Sequence, residues 1–323
     1  MYNYTQKGEI ILADSRTAAT ETSRQGLWSR IVNNDNICGY IFIAPFIIGF
    51  LVFTIIPMGA SLFLSFTKYD ILGAPQWIGL QNFKTMFTQD PKFWKSFWVT
   101  VKYVFIAIPL RLLFALMIAL VLSKDTKGTS FYRASYYLPS LIGGSIAIAV
   151  LWKRIFGTGS VINSLLAMLG ININYSWIGN PKTALLTLII LAVWQFGSPM
   201  LIFLSGIKQI PRSYYEAARI DGASGGACFF RITLPLLTPV IFFNLIMQMI
   251  TGFMVFTQGY IITEGGPLDS TLFYALYMYR QSFTYYNMGY GCAMAWFMLV
   301  IIAIMTSIVF KSSSAWVYYE SME

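Results

Sequence analysis

Six apolar stretches punctuate the chain, each close to the roughly 20 residues a helix needs to cross about 30 Å of hydrocarbon. They run from Gly39 to Phe66, Phe97 to Leu122, Ser135 to Trp152, Ala184 to Ile207, Pro239 to Ile262 and Gly291 to Phe310. Each predicts a helix, because an open strand in lipid leaves its backbone groups unpaired. Pro45 and Pro57 fall inside or near the ends of the first stretch, and Pro199 predicts a kink in the fourth. Residues 1–36 are polar and Ser/Thr-rich, too polar for a signal peptide, and predict a cytoplasmic tail with a short surface helix near Leu27–Val32. Residues 312–323 predict a second cytoplasmic tail, which leaves 37–311 as the membrane domain. Between glycines, Val161–Leu169 predicts a short helix in a loop.

Composition carries the same message and removes other classes. The 323 residues are 57% hydrophobic and only 11% charged, with a mean hydropathy of +0.63, which makes this an all-α integral membrane protein. The net charge of +9 is spread over the loops rather than clustered on one polar face, so it speaks for topology and not for nucleic acid. If the amino terminus is cytoplasmic, the inside segments carry twelve Lys and Arg against eight outside, and both termini are inside. Histidine is absent, and Cys38, Cys228 and Cys292 lie far apart, so no metal site is expected. There is neither a nucleophile paired with a base nor a Gly-rich Lys-Ser/Thr phosphate loop, so the chain is not an enzyme and does not hydrolyse ATP itself.

Between the fourth and fifth stretches lies a charged, small-residue segment, Glu216 Ala217 Ala218 Arg219 Ile220 Asp221 Gly222, continuing through Ala223 to Ile232 Thr233 Leu234 Pro235. Arg212 to Ile220 contains no breaker, and Gly222 supplies positive φ for a turn. A second short helix, about Ala223 to Thr233, is expected to stop near Pro235.

The spacing Glu-Ala-Ala, three residues, Gly, nine residues, Ile-x-Leu-Pro resembles the EAA loop of ABC importer permeases, the binding-protein-dependent transport system inner membrane components. Phe229 and Arg231, with Asp221 and Ala223 around Gly222, are similar to the carbohydrate-uptake branch. The tripeptide alone fits an ordinary amphipathic loop packed on its own bundle; the long spacing is far more specific. Trp77 Ile78 Gly79 Leu80 Gln81 Asn82 Phe83 resembles that branch's W-x-G-L-x-N-[FY] segment, and Glu264 Gly265 Gly266 Pro267 its Gly-Gly-Pro loop. Both suit either interfacial packing or contact with a binding protein.

The resemblance implies a six-helix type I ABC importer permease fold in the bacterial plasma membrane, with cytoplasmic EAA coupling helices in the loop 208–239. Glu216, Ala217, Ala218, Asp221, Gly222, Ala223, Ile232, Leu234 and Pro235 are then expected to meet the ATPase. Implied partners are a second, non-identical permease, two ATPase subunits that hold ATP and Mg, and an extracytoplasmic solute-binding protein. The cargo implied is an oligosaccharide. The chain departs from the maltose importer's larger permease in lacking its extra amino-terminal helices and external domain, which argues against maltose. An ion-coupled transporter or channel is the alternative, but such proteins place Asp, Glu or His within the bilayer, and none of the six stretches holds one.

Polar residues inside the stretches mark a candidate substrate path. Asn244, Gln248, Thr251 and Gln258 recur at spacings of four, three and seven, on one helical face, and Thr187, Gln195 and Ser198 form a similar stripe beside Trp194. Amides, hydroxyls and aromatic rings suit a sugar, and the same groups serve as interhelical glue. Arg111 sits midway along the second stretch, where an unpaired charge costs roughly 2.5–3.5 kcal/mol. With no intramembrane carboxylate it must reach water, a carbonyl, a partner subunit or an anionic ligand such as a uronate oligosaccharide.

Overall fold

The computed structural model describes residues 35–124, 128–172 and 175–318, with side chains from Gly39 onward. The expected tail helix at Leu27–Val32 lies outside the described residues. The chain divides into two compact units, Met1–Ala60 and Ser61–Glu323. They part inside the first apolar helix.

Four helices are long and apolar enough to cross a membrane, and two bent helix pairs bring the total to six. The first crossing, Gly39–Ser65, consists of α1 (Asp35–Phe50), a π turn over Leu51–Ile55 and α2 (Ile56–Ser65). In the π turn the Ile56 N–H reaches back five residues to the Leu51 carbonyl, just before Pro57. The same device recurs where Leu234 N–H bonds the Phe229 carbonyl just before Pro235. A proline ring collides with the carbonyl four residues back in a regular helix, and the wider turn gives it room. This corrects the expected stop near Pro235. From its Ser224 cap the helix instead runs unbroken over Gly225–Phe253, through α11 (Gly225–Cys228), a π turn (Phe229–Thr233) and α12 (Leu234–Phe253).

A mixed loop of short elements follows α2. Strands β1 (Thr67–Lys68) and β2 (Gln76–Trp77) pair antiparallel with Thr67 opposite Trp77. Asn82, at the start of α3 (Gln81–Thr88), donates its amide to the carbonyls of Ser65 (2.8 Å) and Thr67 (2.9 Å), and Trp77 stacks on Phe66 at 5.6 Å. The W-x-G-L-x-N segment therefore clamps its own turn. Asp90 then caps α4 (Pro91–Leu122), accepting from the N–H groups of Lys92 and Phe93, so the second crossing starts earlier than hydropathy indicates.

Three crossings are interrupted where one helix was expected. The third bends by 93° between Ile142 and Ile146. There α5 (Thr129–Ile142) stops at Gly143 and Gly144, and Ser145 caps α6 (Ile146–Phe156) through the Ile148 N–H. The fourth bends by 41° between α8 (Ala184–Trp194) and α9 (Gly197–Gln209), so the break falls at Gln195 and Phe196, ahead of Pro199. The fifth ends at Phe253 and resumes only before a π turn at Gly259–Thr263, instead of running through to Ile262.

Beyond these, α7 (Val161–Met168) fills the loop helix expected there, α10 (Arg212–Ile220) follows α9, and α13 (Tyr274–Tyr279) precedes the last crossing, α14 (Met288–Trp316). The centre of the second unit is α4, packed chiefly against α9, α8 and α12. Its inward stripe of small residues, Ala107, Ala115 and Ala119, is almost wholly buried and lets neighbouring backbones come close.

Candidate functional site

At one end of the bundle α10 stands out as an amphipathic rod. Its inner side is anchored where the Tyr215 hydroxyl meets Thr233 Oγ1 at 2.9 Å. Glu216, Ala217, Asp221 and Gly222 are exposed, and Ile220 is 86% exposed. Ala218, Ala223, Ile232, Leu234 and Pro235 are half-buried behind them. Glu216 has no ion-pair or hydrogen-bond partner among the described residues. The helix stops in a Schellman turn: Ala223 N–H reaches the Ala218 carbonyl (2.8 Å) and Gly222 N–H the Arg219 carbonyl (3.0 Å), with Gly222 at φ +77°. The turn expected at Gly222 is a closed, hydrogen-bonded corner. Behind α10 lies a cleft of about 930 Å³ whose lining, among the described residues, includes Lys124, Lys208, Arg212 and Arg219.

Deeper in the bundle is a cavity of about 260 Å³ between α4, the break in the fourth crossing and the end of α12. Arg111, Gln195, Gln248, Thr251 and Gln258 all line it, so five of the residues singled out in the sequence meet there. The Arg111 guanidinium donates through Nε (2.9 Å) and through Nη2 to the Gln195 carbonyl. That carbonyl is available for a specific reason. In an unbroken helix it would accept the N–H of residue 199, and Pro199 has none. Ser140 Oγ donates to the same oxygen at 2.9 Å and accepts the Ser198 N–H at 3.0 Å, while the Gln195 side-chain amide donates to the Gly143 carbonyl at 2.9 Å. One residue therefore ties together the break in the fourth crossing, the bend in the third and the charge of the second. A carbonyl is thus one partner of Arg111, while its Nη1 has no hydrogen-bond partner among the described residues.

Residues 125–318 match the family described as "Binding-protein-dependent transport system inner membrane component". The chain belongs to that family. The permease is 60% identical over 297 residues to the "Probable ABC transporter permease protein YesP" of Bacillus subtilis (strain 168), covering 91% of this chain and 96% of that protein. It is 31% identical over 301 residues to the "Arabinooligosaccharides transport system permease protein AraP" of the same strain, covering 91% and 94%. Its fold matches a chain in the "Crystal structure of bacterial alginate ABC transporter in complex with alginate pentasaccharide-bound periplasmic protein", with a TM-score of 0.76 at 24% identity, over 89% of this chain and 96% of that one. The fold is that of the type I ABC importer permeases, and the protein crosses the membrane several times.

Not every residue singled out reaches the permease's cavity. Trp194 turns away and packs on Trp152 at 6.0 Å, and the Thr187 carbonyl accepts the Trp152 indole N–H at 3.0 Å. Asn244 is fully buried one turn from Gln248, with neither amide atom hydrogen-bonded among the described residues. Sequence reasoning missed Tyr103 and Thr257, which also line the cavity. Tyr103 was within reach, since Tyr103, Ala107 and Arg111 share one stripe at spacings of four.

At the far end from α10, Lys153 pairs with Glu264 at 3.4 Å beside a cleft of about 790 Å³, and Arg280 donates to the Glu264 carbonyl at 2.8 Å. Nearby, Asp90 accepts the hydroxyls of Tyr277 (2.7 Å) and Tyr290 (2.6 Å). Burial, and then the Asp90 carboxylate, hold the Tyr277 phenol above its ordinary value, so it stays a donor.

Proposed function

We propose that this chain is the permease of an ABC importer that takes oligosaccharides, uronate-containing ones included, from an extracytoplasmic solute-binding protein. The observation that carries the reading is the continuity between cavity and surface. Amides, hydroxyls and one guanidinium line a space at the head of α9, and the other end of α9 leads through two residues into the exposed α10. Amides and hydroxyls offer hydrogen bonds to a polyol, and Arg111 offers a planar fork to a carboxylate. The name of the arabino-oligosaccharide relative supports a sugar cargo.

In this reading α10 faces the cytoplasm and docks on an ATPase subunit, with Glu216 making a charge-assisted contact there. ATP and Mg reside on two such subunits and none on this chain. A second, non-identical permease completes the path, and both termini are cytoplasmic. Closure of the ATPase pair moves α10, and the bundle opens alternately to the two sides. The ion-coupled alternative gains no support, since among the described crossings none carries Asp, Glu or His.

The test is ATP hydrolysis by the complete complex in proteoliposomes with its binding protein, measured against a panel of neutral and uronic oligosaccharides. Stimulation by a member of the panel, together with its uptake, is expected. Uptake that survives ATP depletion but collapses with an uncoupler contradicts the reading.

A further inference from the structure

Building on the oligosaccharide-import reading, we propose that Arg111 is a cargo sensor: cargo draws its guanidinium off the Gln195 carbonyl, and the unbraced break in the fourth crossing relays occupancy to α10. Two of the guanidinium nitrogens are engaged by a neutral backbone oxygen, while Nη1 has no hydrogen-bond partner among the described residues, and the side chain lines the cavity. A carboxylate entering that cavity offers the fork a charge-assisted, bidentate partner, roughly twice as strong as a neutral one. The exchange is lopsided in its consequences. Because Pro199 has no N–H, the α-helical backbone donor that would replace Arg111 on Gln195 is missing, and Ser140 Oγ remains.

The break then loses its brace to α4, and α9 is free to change its angle against α8. That angle is passed on because little separates α9 from α10. Ile210 is extended, with ψ 124°, and Pro211 has φ −58° and ψ 134°, so the link is two residues long and half of it is conformationally fixed. Arg111 acts in this scheme as a positioning residue, and its differential affinity for carbonyl and cargo sets the population of the two arrangements.

The first arm of the test needs no cargo. ATP hydrolysis is measured in the fully assembled complex in nanodiscs, without binding protein or sugar, for the wild type, Arg111→Met and Ser140→Ala. Ser140 does not line the cavity, so it separates bracing from cargo contact. Removing one donor from the Gln195 carbonyl is expected to raise the cargo-free rate about 2- to 10-fold for Ser140→Ala, and about 10-fold or more for Arg111→Met. Wild-type rates in both variants overturn the proposal, since a residue that only binds cargo leaves the cargo-free rate alone. Should Arg111→Met fail to assemble, Ser140→Ala decides on its own. A second arm adds the binding protein and a panel of neutral and uronic oligosaccharides: raised cargo-free rates with no stimulation by any member uphold the brace and overturn the cargo assignment.

Discussion

Arg111 and Gln195, 84 residues apart in sequence, are joined through a backbone oxygen: the guanidinium on α4 donates through Nε at 2.9 Å to the carbonyl that Pro199 leaves without its helical partner. A part-buried charge on a membrane crossing thereby meets a dipole of the same chain, at the break in the fourth crossing. If the remaining face of the guanidinium also meets cargo, Arg111→Gln should cost more for uronic than for neutral oligosaccharides. The expected selective loss in stimulation is about 10- to 100-fold, the worth of one hydrogen bond to a charged group. Dose–response curves of ATP hydrolysis with both sugar classes measure it; equal loss for both leaves Arg111 a structural role.

Close approach at the node makes a second prediction. A Cβ on Gly143 would lie 2.5 Å from Gln195 Cγ and 2.5 Å from the Pro139 carbonyl, and one on Gly197 would lie 2.6 Å from the Tyr136 carbonyl. Gly143→Ala and Gly197→Ala should each destabilise by roughly 1–3 kcal/mol. Gly144→Ala, with nothing within 4 Å, is the control and should be near neutral. Thermal unfolding of the purified complex reads all three.

How much of this was legible beforehand follows from what hydropathy can see. The crossings showed because lipid demands apolar side chains, and the corner at Gly222 showed because a left-handed residue favours glycine. The break at Met254–Phe256 did not, because those residues are as apolar as the helix they interrupt. The bend in the third crossing was written as Gly143, Gly144 and a Ser145 cap, but an apolar window reads straight through them. Pro199 pointed to its own kink; carried back four residues it pointed to the Gln195 carbonyl, though nothing local indicated that Arg111 would take it. The run-on past Pro235 was hidden because a π turn accommodates a proline that an α-helix rejects.

Asn244 provides a third prediction, of opposite sign. Its side chain is fully buried, and among the described residues both amide atoms are unpartnered. Leucine has a similar volume and no polar atoms, so Asn244→Leu should stabilise this arrangement by about 1–3 kcal/mol. A raised unfolding temperature is expected; a lowered one would contradict the prediction.

At the corner of α10 the cost of substitution is conformational. Nothing lies within 4 Å of a Cβ at Gly222, yet its φ is +77°. Gly222→Val should therefore strain the backbone by about 1–2 kcal/mol and weaken co-purification with the ATPase, without lowering the amount of permease in the membrane. Glu216→Ala should leave assembly in the membrane intact and abolish cargo-stimulated hydrolysis.

The central claim is that α10 receives a motor on the cytoplasmic side, and Ile220, 86% exposed at its corner, reports on it directly. In a background with Cys38, Cys228 and Cys292 replaced by serine, Ile220→Cys should react with a membrane-impermeant thiol reagent only after cells are opened. In the assembled complex it should also cross-link to the ATPase subunit. Labelling of intact cells from outside, with no cross-link to the ATPase, would contradict the account.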